Sequence, residues 1–222
     1  DHSHCMIKAL LFDLNGTMVD DMDYHIRAWH RISTELGASL SMEEVKAECY
    51  GKNGEVLERI FPGRFADEEK DRISIEQEIQ YRREFKPHLK LLNGLDKFLA
   101  LAHQLGWKMA IGSAAIMSNV DFVLDGLHIR HYFDAIISAD QVKNSKPDPE
   151  TFTCCARILG ADPADCIVFE DAPKGVECAG RAGMKAVVLT TMHIPKEFHA
   201  YSNILLFTPD FAHPGLSGLL EK

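Results

Sequence analysis

Asp13 stands in the hexapeptide Phe12-Asp13-Leu14-Asn15-Gly16-Thr17, directly after an apolar run. A carboxylate at the tip of a buried strand can attack phosphorus or hold a metal, and Gly16 lets the backbone turn tightly toward a ligand. Asp and Asn are also ordinary turn formers after a strand, so the hexapeptide alone leaves the two readings level. Three later segments shift the balance. Ser113 closes the run from Lys108 to Gly112, and its hydroxyl can hydrogen-bond a phosphate oxygen. Lys146 sits in Ser145-Lys146-Pro147-Asp148-Pro149, where two prolines fix the chain around a cation, although a loop lysine taken alone is better read as solvated. Glu170-Asp171 follow the run ending at Phe169. Paired acids in a loop usually face water, but at a strand tip beside Asp13 they suit Mg²⁺, which prefers hard oxygen ligands.

Those residues need a scaffold that brings strand tips together. Six short apolar runs read as strands: Ile7 to Phe12, Lys108 to Ser113, Ala135 to Ser138, Cys166 to Glu170, Ala186 to Leu189 and Ile204 to Phe207. They are continuous rather than alternating, as parallel strands covered on both faces tend to be. Leu95, Phe98, Leu99, Ala102 and Leu105 form a helical stripe ended by Gly106, and Phe152, Ala156 and Leu159 form another ended by Gly160. Strands alternating with helices predict an α/β fold with a doubly wound, Rossmann-like parallel sheet.

The first strand breaks this rhythm, because residues 20–87 are helical with little strand character. Met22, Ile26, Trp29, Ile32 and Leu36 line one helix that Gly37 can end, Ser41 with Glu44 fits a capping box, and a third helical stretch stops before Pro87. The segment predicts a small all-helical cap at 20–87, inserted into a core of 6–19 and 88–222. Tyr50-Gly51-Lys52-Asn53-Gly54 reads as a turn within it, and Phe61, Phe65 and Phe85 read as cap core rather than a ligand box.

Composition narrows the partners. A chain of 222 residues with 46% hydrophobic and 26% charged residues is an ordinary globular protein. Its net charge of −9, with no run of Lys and Arg, argues against nucleic acid. No apolar stretch approaches the roughly 20 residues needed to span a bilayer, which argues against a membrane. The six cysteines form no CxxC pair and read as free thiols in a reducing cytoplasm. The opening Asp1-His2-Ser3-His4-Cys5 reads as a polar lead before Met6.

In order along the chain, Asp13, Ser113, Lys146 and Glu170-Asp171 resemble the four motifs of the haloacid dehalogenase superfamily. Tyr24-His25-Ile26-Arg27-Ala28-Trp29, Ser145-Lys146-Pro147 and Glu170-Asp171-Ala172-Pro173-Lys174-Gly175-Val176 are similar to its beta-phosphoglucomutase-like branch with a helical cap. Each motif is short, but four in order cover nearly the whole chain. The resemblance implies a nucleophilic Asp13 and an aspartyl-phosphate intermediate. It implies Mg²⁺ held by Asp13, the backbone carbonyl of Asn15, Asp171 and Glu170, as ligand or just behind the ligands. It gives phosphate binding to Ser113, Ala114 and Lys146, places His25 at the cap hinge in substrate contact, and implies hinges near Asp20 and Pro87. Without the resemblance, His25 reads as a polar residue on the solvent side of the first cap helix.

Two positions depart from the family pattern. Its phosphatases usually carry Asp two residues after the nucleophile, as general acid and base, and Asn15 can do neither. General acid–base catalysis typically contributes roughly 10²–10⁴-fold. The substrate then carries a good leaving group, or Asp20, Asp21 or His25 moves the proton, or Asn15 replaces an Asp to trap a complex. The chain could also bind phosphates without catalysing anything. Beta-phosphoglucomutases carry an Arg for the second phosphate where this sequence has Gly54, with Lys52 as a partial substitute. The sequence thus favours a Mg²⁺-dependent phosphatase for a small phosphorylated metabolite over a sugar-phosphate mutase, working as a monomer or weak dimer.

Overall fold

The computed structural model describes residues 6–222. The polar lead, residues 1–5 with Cys5, lies outside the described residues. One sheet of six parallel strands organises the larger unit: β1 (Ala9–Phe12), β2 (Lys108–Gly112), β3 (Ala135–Ile137), β4 (Cys166–Glu170), β5 (Lys185–Leu189) and β6 (Ile204–Thr208), in spatial order β3-β2-β1-β4-β5-β6. The short central strand β1 is buried along its whole length between β2 and β4, which is why its sequence does not alternate. β1, β2 and β3 end or begin one or two residues inside the runs read from sequence.

The chain packs as two compact units: one through Asp20 together with Lys90–Lys222, the other Asp21–Leu89. The second unit holds α1 (Met22–Glu35), α2 (Met42–Glu48), α3 (Asn53–Ile60) and α4 (Asp67–Phe85), and no strand. Ile26, Trp29 and Ile32 of α1 are buried as their spacing predicts. The Ser41 hydroxyl accepts from the Glu44 N–H at 3.1 Å while the Glu44 carboxylate accepts from the Ser41 N–H at 3.1 Å, completing the capping box. The turn expected over residues 50–54 is shorter than the sequence suggests, because α3 already begins at Asn53. Phe61 and Phe85 are buried, and Phe61 meets Phe65 edge to face at 5.5 Å.

The larger unit adds α5 (Leu95–Gln104), α6 (Met117–Leu127), α7 (Glu150–Leu159), α8 (Pro173–Arg181) and α9 (Pro214–Leu220). α6 has no sequence expectation behind it; its buried stripe of Val120, Val123 and Leu124 is short and follows Ile116 without a capping side chain. On one side of the sheet, Leu11, Ala110, Val168 and Val188 pack with Phe152 and Cys155 of α7 and Val176 of α8. On the other, Phe12 stacks on Phe169 at 4.8 Å, and both meet Phe98 of α5 edge to face. Phe12 and Phe169 are register partners on adjacent strands, so this aromatic pair fixes the tips of β1 and β4 side by side.

Candidate active site

Register carries the predicted residues to one edge. Phe12 lies level with Ile111 and Phe169, so the chain leaves β1 at Asp13, β2 at Gly112-Ser113 and β4 at Glu170-Asp171 as neighbours. Asp13 N–H donates to the Phe169 carbonyl and Ser113 N–H to the Ile137 carbonyl, each at 2.9 Å, which pins both residues to the adjacent strand.

Lys146 enters from the loop before α7 and is only 9% exposed. Its Nζ lies 2.9 Å from Asp13 Oδ1, 2.7 Å from Glu170 Oε2 and 2.9 Å from the Gly112 carbonyl, so each ammonium proton has an acceptor. The Phe152 ring sits 4.6 Å from the same nitrogen. Burial alone would lower the Lys146 ammonium, but the Asp13 and Glu170 carboxylates outweigh it and hold it above its usual range.

Glu170 also accepts the N–H groups of Asp171 at 3.1 Å and Ala172 at 3.3 Å. Its carboxylate occupies space that only glycine leaves open, since a Cβ on Gly175 would fall 1.9 Å from Glu170 Cδ. The Thr17 hydroxyl reaches Asp13 Oδ2 at 3.1 Å and Asp171 Oδ1 at 3.2 Å, linking the first and last motifs. Burial, then the charge of Asp13, push Glu170 up to about 7 against the pull of Lys146. Burial and the charges of Asp13 and Glu170 raise Asp171 well above the carboxylate range.

Asp13, Glu170 and Asp171 each offer an oxygen within 4.8 Å of the others. Three hard oxygen donors in one buried cluster, where burial first and mutual negative charge second raise Glu170 and Asp171, fit a small divalent cation such as Mg²⁺. The carboxylate cluster could bind such a metal.

The backbone around Asn15 is tightly braced. Gly16 N–H donates to the Val19 carbonyl at 2.9 Å, and Thr17 and Met18 both donate to the Leu14 carbonyl, at 3.2 and 2.9 Å. Gly16 takes φ 76°, and its carbonyl accepts the Thr191 hydroxyl at 2.5 Å. Ser113 is buried, and its Oγ accepts the Ala115 N–H at 3.0 Å, which leaves the hydroxyl proton to donate to a ligand. Ala114 lies half-buried in the same loop.

His25 and Lys52 belong to the cap unit. His25 does not face solvent: its side chain is 13% exposed and its ring stacks on Tyr81 of α4 at 3.6 Å. Gln77 Nε2 lies 3.2 Å from its Nδ1, and its buried Nε2 has no hydrogen-bond partner among the described residues, with Asp21 Oδ2 at 3.7 Å. Burial lowers its pKa to about 3. Asp21 is fully buried and accepts the Tyr81 hydroxyl, whereas Asp20 is exposed. Lys52 precedes α3, half-buried, with its N–H donating to Glu55 Oε1 at 2.7 Å.

Sequence reasoning missed Thr17, Gly175 and Thr191. Thr17 was visible inside the hexapeptide, but its bridge to Asp171 spans 154 residues and emerges only from the strand register. Gly175 stood inside the motif that begins at Glu170, but its role in making room for Glu170 did not show there, and Thr191 carries no local signal.

The model of the haloacid dehalogenase-like hydrolases matches residues 10–189. A fructose-1-phosphate phosphatase of Escherichia coli is 31% identical over 183 residues, covering 81% of this chain and 94% of that protein. A crystal structure of a beta-phosphoglucomutase from Clostridium difficile superposes with TM-score 0.84 at 26% identity, covering 97% of each chain. A family IA hydrolase from Entamoeba histolytica gives TM-score 0.84 at 25% identity, covering 97% of this chain and 100% of that one. With Asp13, Lys146 and the acid pair assembled at one sheet edge and these relatives spanning most of its length, the chain belongs to the haloacid dehalogenase-like hydrolases, in the beta-phosphoglucomutase-like branch.

Proposed function

We propose that this chain is a phosphatase for a small phosphorylated metabolite of sugar-phosphate size, with Asp13 as nucleophile. The observation that carries the reading is the Lys146 ammonium, bonded at once to Asp13 and Glu170 at the strand tips. A solvated loop lysine would make neither contact. The substrate size rests on the relative that acts on fructose 1-phosphate.

In the proposed reaction an Asp13 oxygen attacks phosphorus and the bond to the leaving oxygen breaks, giving an aspartyl phosphate. Water then attacks the same phosphorus, the bond to Asp13 breaks, and inorganic phosphate leaves with Asp13 restored. Ser113 donates to a phosphoryl oxygen, the Ala114 backbone lies beside it, and Lys146 offsets the charge that spreads over those oxygens. Mg²⁺, held by Asp13, Asp171, the Asn15 carbonyl and Glu170, would supply further charge neutralisation when bound. The braced turn over residues 14–19 holds that carbonyl in place whichever side chain stands at 15. Of the alternative proton carriers, Asp21 is sequestered by Tyr81 and His25 packs inside the cap, so Asp20, the exposed one, is the carrier we favour. The five free thiols among the described residues, three of them buried, support a reducing cytoplasm as the setting.

Asn15 favours a second reading, a phosphate-binding protein that turns over slowly or not at all. A mutase is disfavoured by Asn15 and by Gly54. One experiment separates them: Mg²⁺-dependent phosphate release over a panel of sugar and polyol phosphates, for this chain, Asn15→Asp and Asp13→Asn. The phosphatase reading expects release that Asp13→Asn abolishes. Release by Asn15→Asp alone identifies a disabled shuttle, and conversion of a sugar 1-phosphate only with a bisphosphate primer identifies a mutase.

A further inference from the structure

α4 is a 19-residue helix whose inner face buries Ile73, Gln77, Tyr81 and Phe85. Its outer face should be wholly polar, yet Ile75 is 55% and Ile79 50% exposed, one turn apart. They lie on one line with two charges. At about 100° per residue, Glu68, Ile75, Ile79 and Lys86 fall within a stripe roughly 40° wide, and Glu68 and Lys86 are exposed. Lys86 caps α4 and keeps helical dihedrals, φ −47° and ψ −44°.

The order acid, Ile, Ile, base is symmetric in position about Gln77 and opposite in charge on its two sides. Such a stripe is its own complement when a second helix runs antiparallel. We infer that the outer face of α4 is a homodimer contact, in which two copies of this chain cross antiparallel about a two-fold axis level with Gln77. Ile75 then meets the partner's Ile79, and Glu68 lies opposite the partner's Lys86. On one flank Asp71 comes within one residue of the level of the partner's Arg82. On the other, Arg72 approaches the partner's Arg83, and this like-charge contact limits the strength. The occupant is a second copy rather than another protein because both charge partners and both isoleucines are supplied by the stripe itself.

Two such helices, each about 28 Å long, present four isoleucines in total and a charged rim, a small patch for an interface whose standard size starts at roughly 1,200 Å². Association is therefore weak, reversible and sensitive to salt, since rim charges are screened.

Sedimentation equilibrium of the full chain, from about 10 µM to 1 mM at low salt, tests this directly, because that range spans weak interfaces. The expected result is reversible dimerisation that Ile75→Lys removes and that Lys86→Glu weakens by about tenfold. The double change Glu68→Lys with Lys86→Glu restores it, which no loss of folding could mimic. A chain that stays monomeric to about 1 mM overturns the inference, as does a dimer indifferent to both single changes. A different protein captured on this face, with the chain itself monomeric, overturns it too.

Discussion

Glu170 performs three tasks with one carboxylate: it accepts Lys146, orders the two N–H groups at the start of α8, and turns a hard oxygen toward Asp13 and Asp171. That crowding works only because the residue five positions later has no side chain. Gly175→Ala would drive a methyl into the Glu170 carboxyl carbon, so the carboxylate must swing away and give up its bonds to Lys146 and the two N–H groups. The expected cost is about 1–3 kcal/mol of stability, as for other overpacked sites, together with loss of most of the thermal stabilisation that Mg²⁺ gives. Melting curves with and without Mg²⁺ check both. A Gly175→Ala protein that keeps the full Mg²⁺ response would show that Glu170 is not near the ion. At this scale the sequence was legible where chemistry uses reactive side chains, at Asp13, Lys146 and Glu170-Asp171. It was silent at Thr191, whose contribution is one hydrogen bond to a carbonyl 175 residues away, and it showed Gly175 only as a motif residue, not as the absent atom that makes room for Glu170.

The helices of the cap show how an element can hide a polar group. α1 turns His25 toward α4, where Tyr81 and Gln77 cover it. A helical wheel cannot say this, because His25 lies one position from buried Ile26 and its burial is decided by the face of α4. The consequence is a pH dependence. Burial holds His25 at about 3 in the folded protein, against roughly 6.5 when unfolded. Between those values the unfolded chain binds a proton that the native chain does not, so stability rises with pH. The His25 contribution is full above about 6.5 and is lost progressively as pH falls toward 3. Hydrogen exchange of the cap amides should therefore accelerate between pH 6.5 and 5 after correction for intrinsic rates. His25→Gln should flatten that dependence; an unchanged profile would show that the imidazole titrates freely. Elements with strict periodicity, such as α1, α5 and α7, were readable in advance, whereas α6 was not, because sheet packing rather than a capped amphipathic stripe sustains it.

For the whole molecule, the doubly wound order of the sheet followed from alternating strand and helix patterns, and the observed order β3-β2-β1-β4-β5-β6 places the first motif at the centre. What the sequence could not give was the level alignment of Phe12, Ile111 and Phe169, because register comes from side-chain packing between strands. That alignment gathers three carboxylates around one ammonium, which leaves two negative charges in excess when all are ionised (three minus one). A phosphate dianion entering alone meets repulsion, and a cation entering alone lacks its last oxygen ligands. Each guest therefore prepares the cavity for the other. Heterotropic coupling of this kind typically amounts to about 5–150-fold, and a closed thermodynamic cycle requires it to be the same in both directions. Calorimetric titration of inorganic phosphate should show tighter binding with Mg²⁺ present, and titration of Mg²⁺ should tighten with phosphate by the same factor. If phosphate binds equally well in EDTA, the excess charge is already neutralised by protons, and the two guests are thermodynamic strangers.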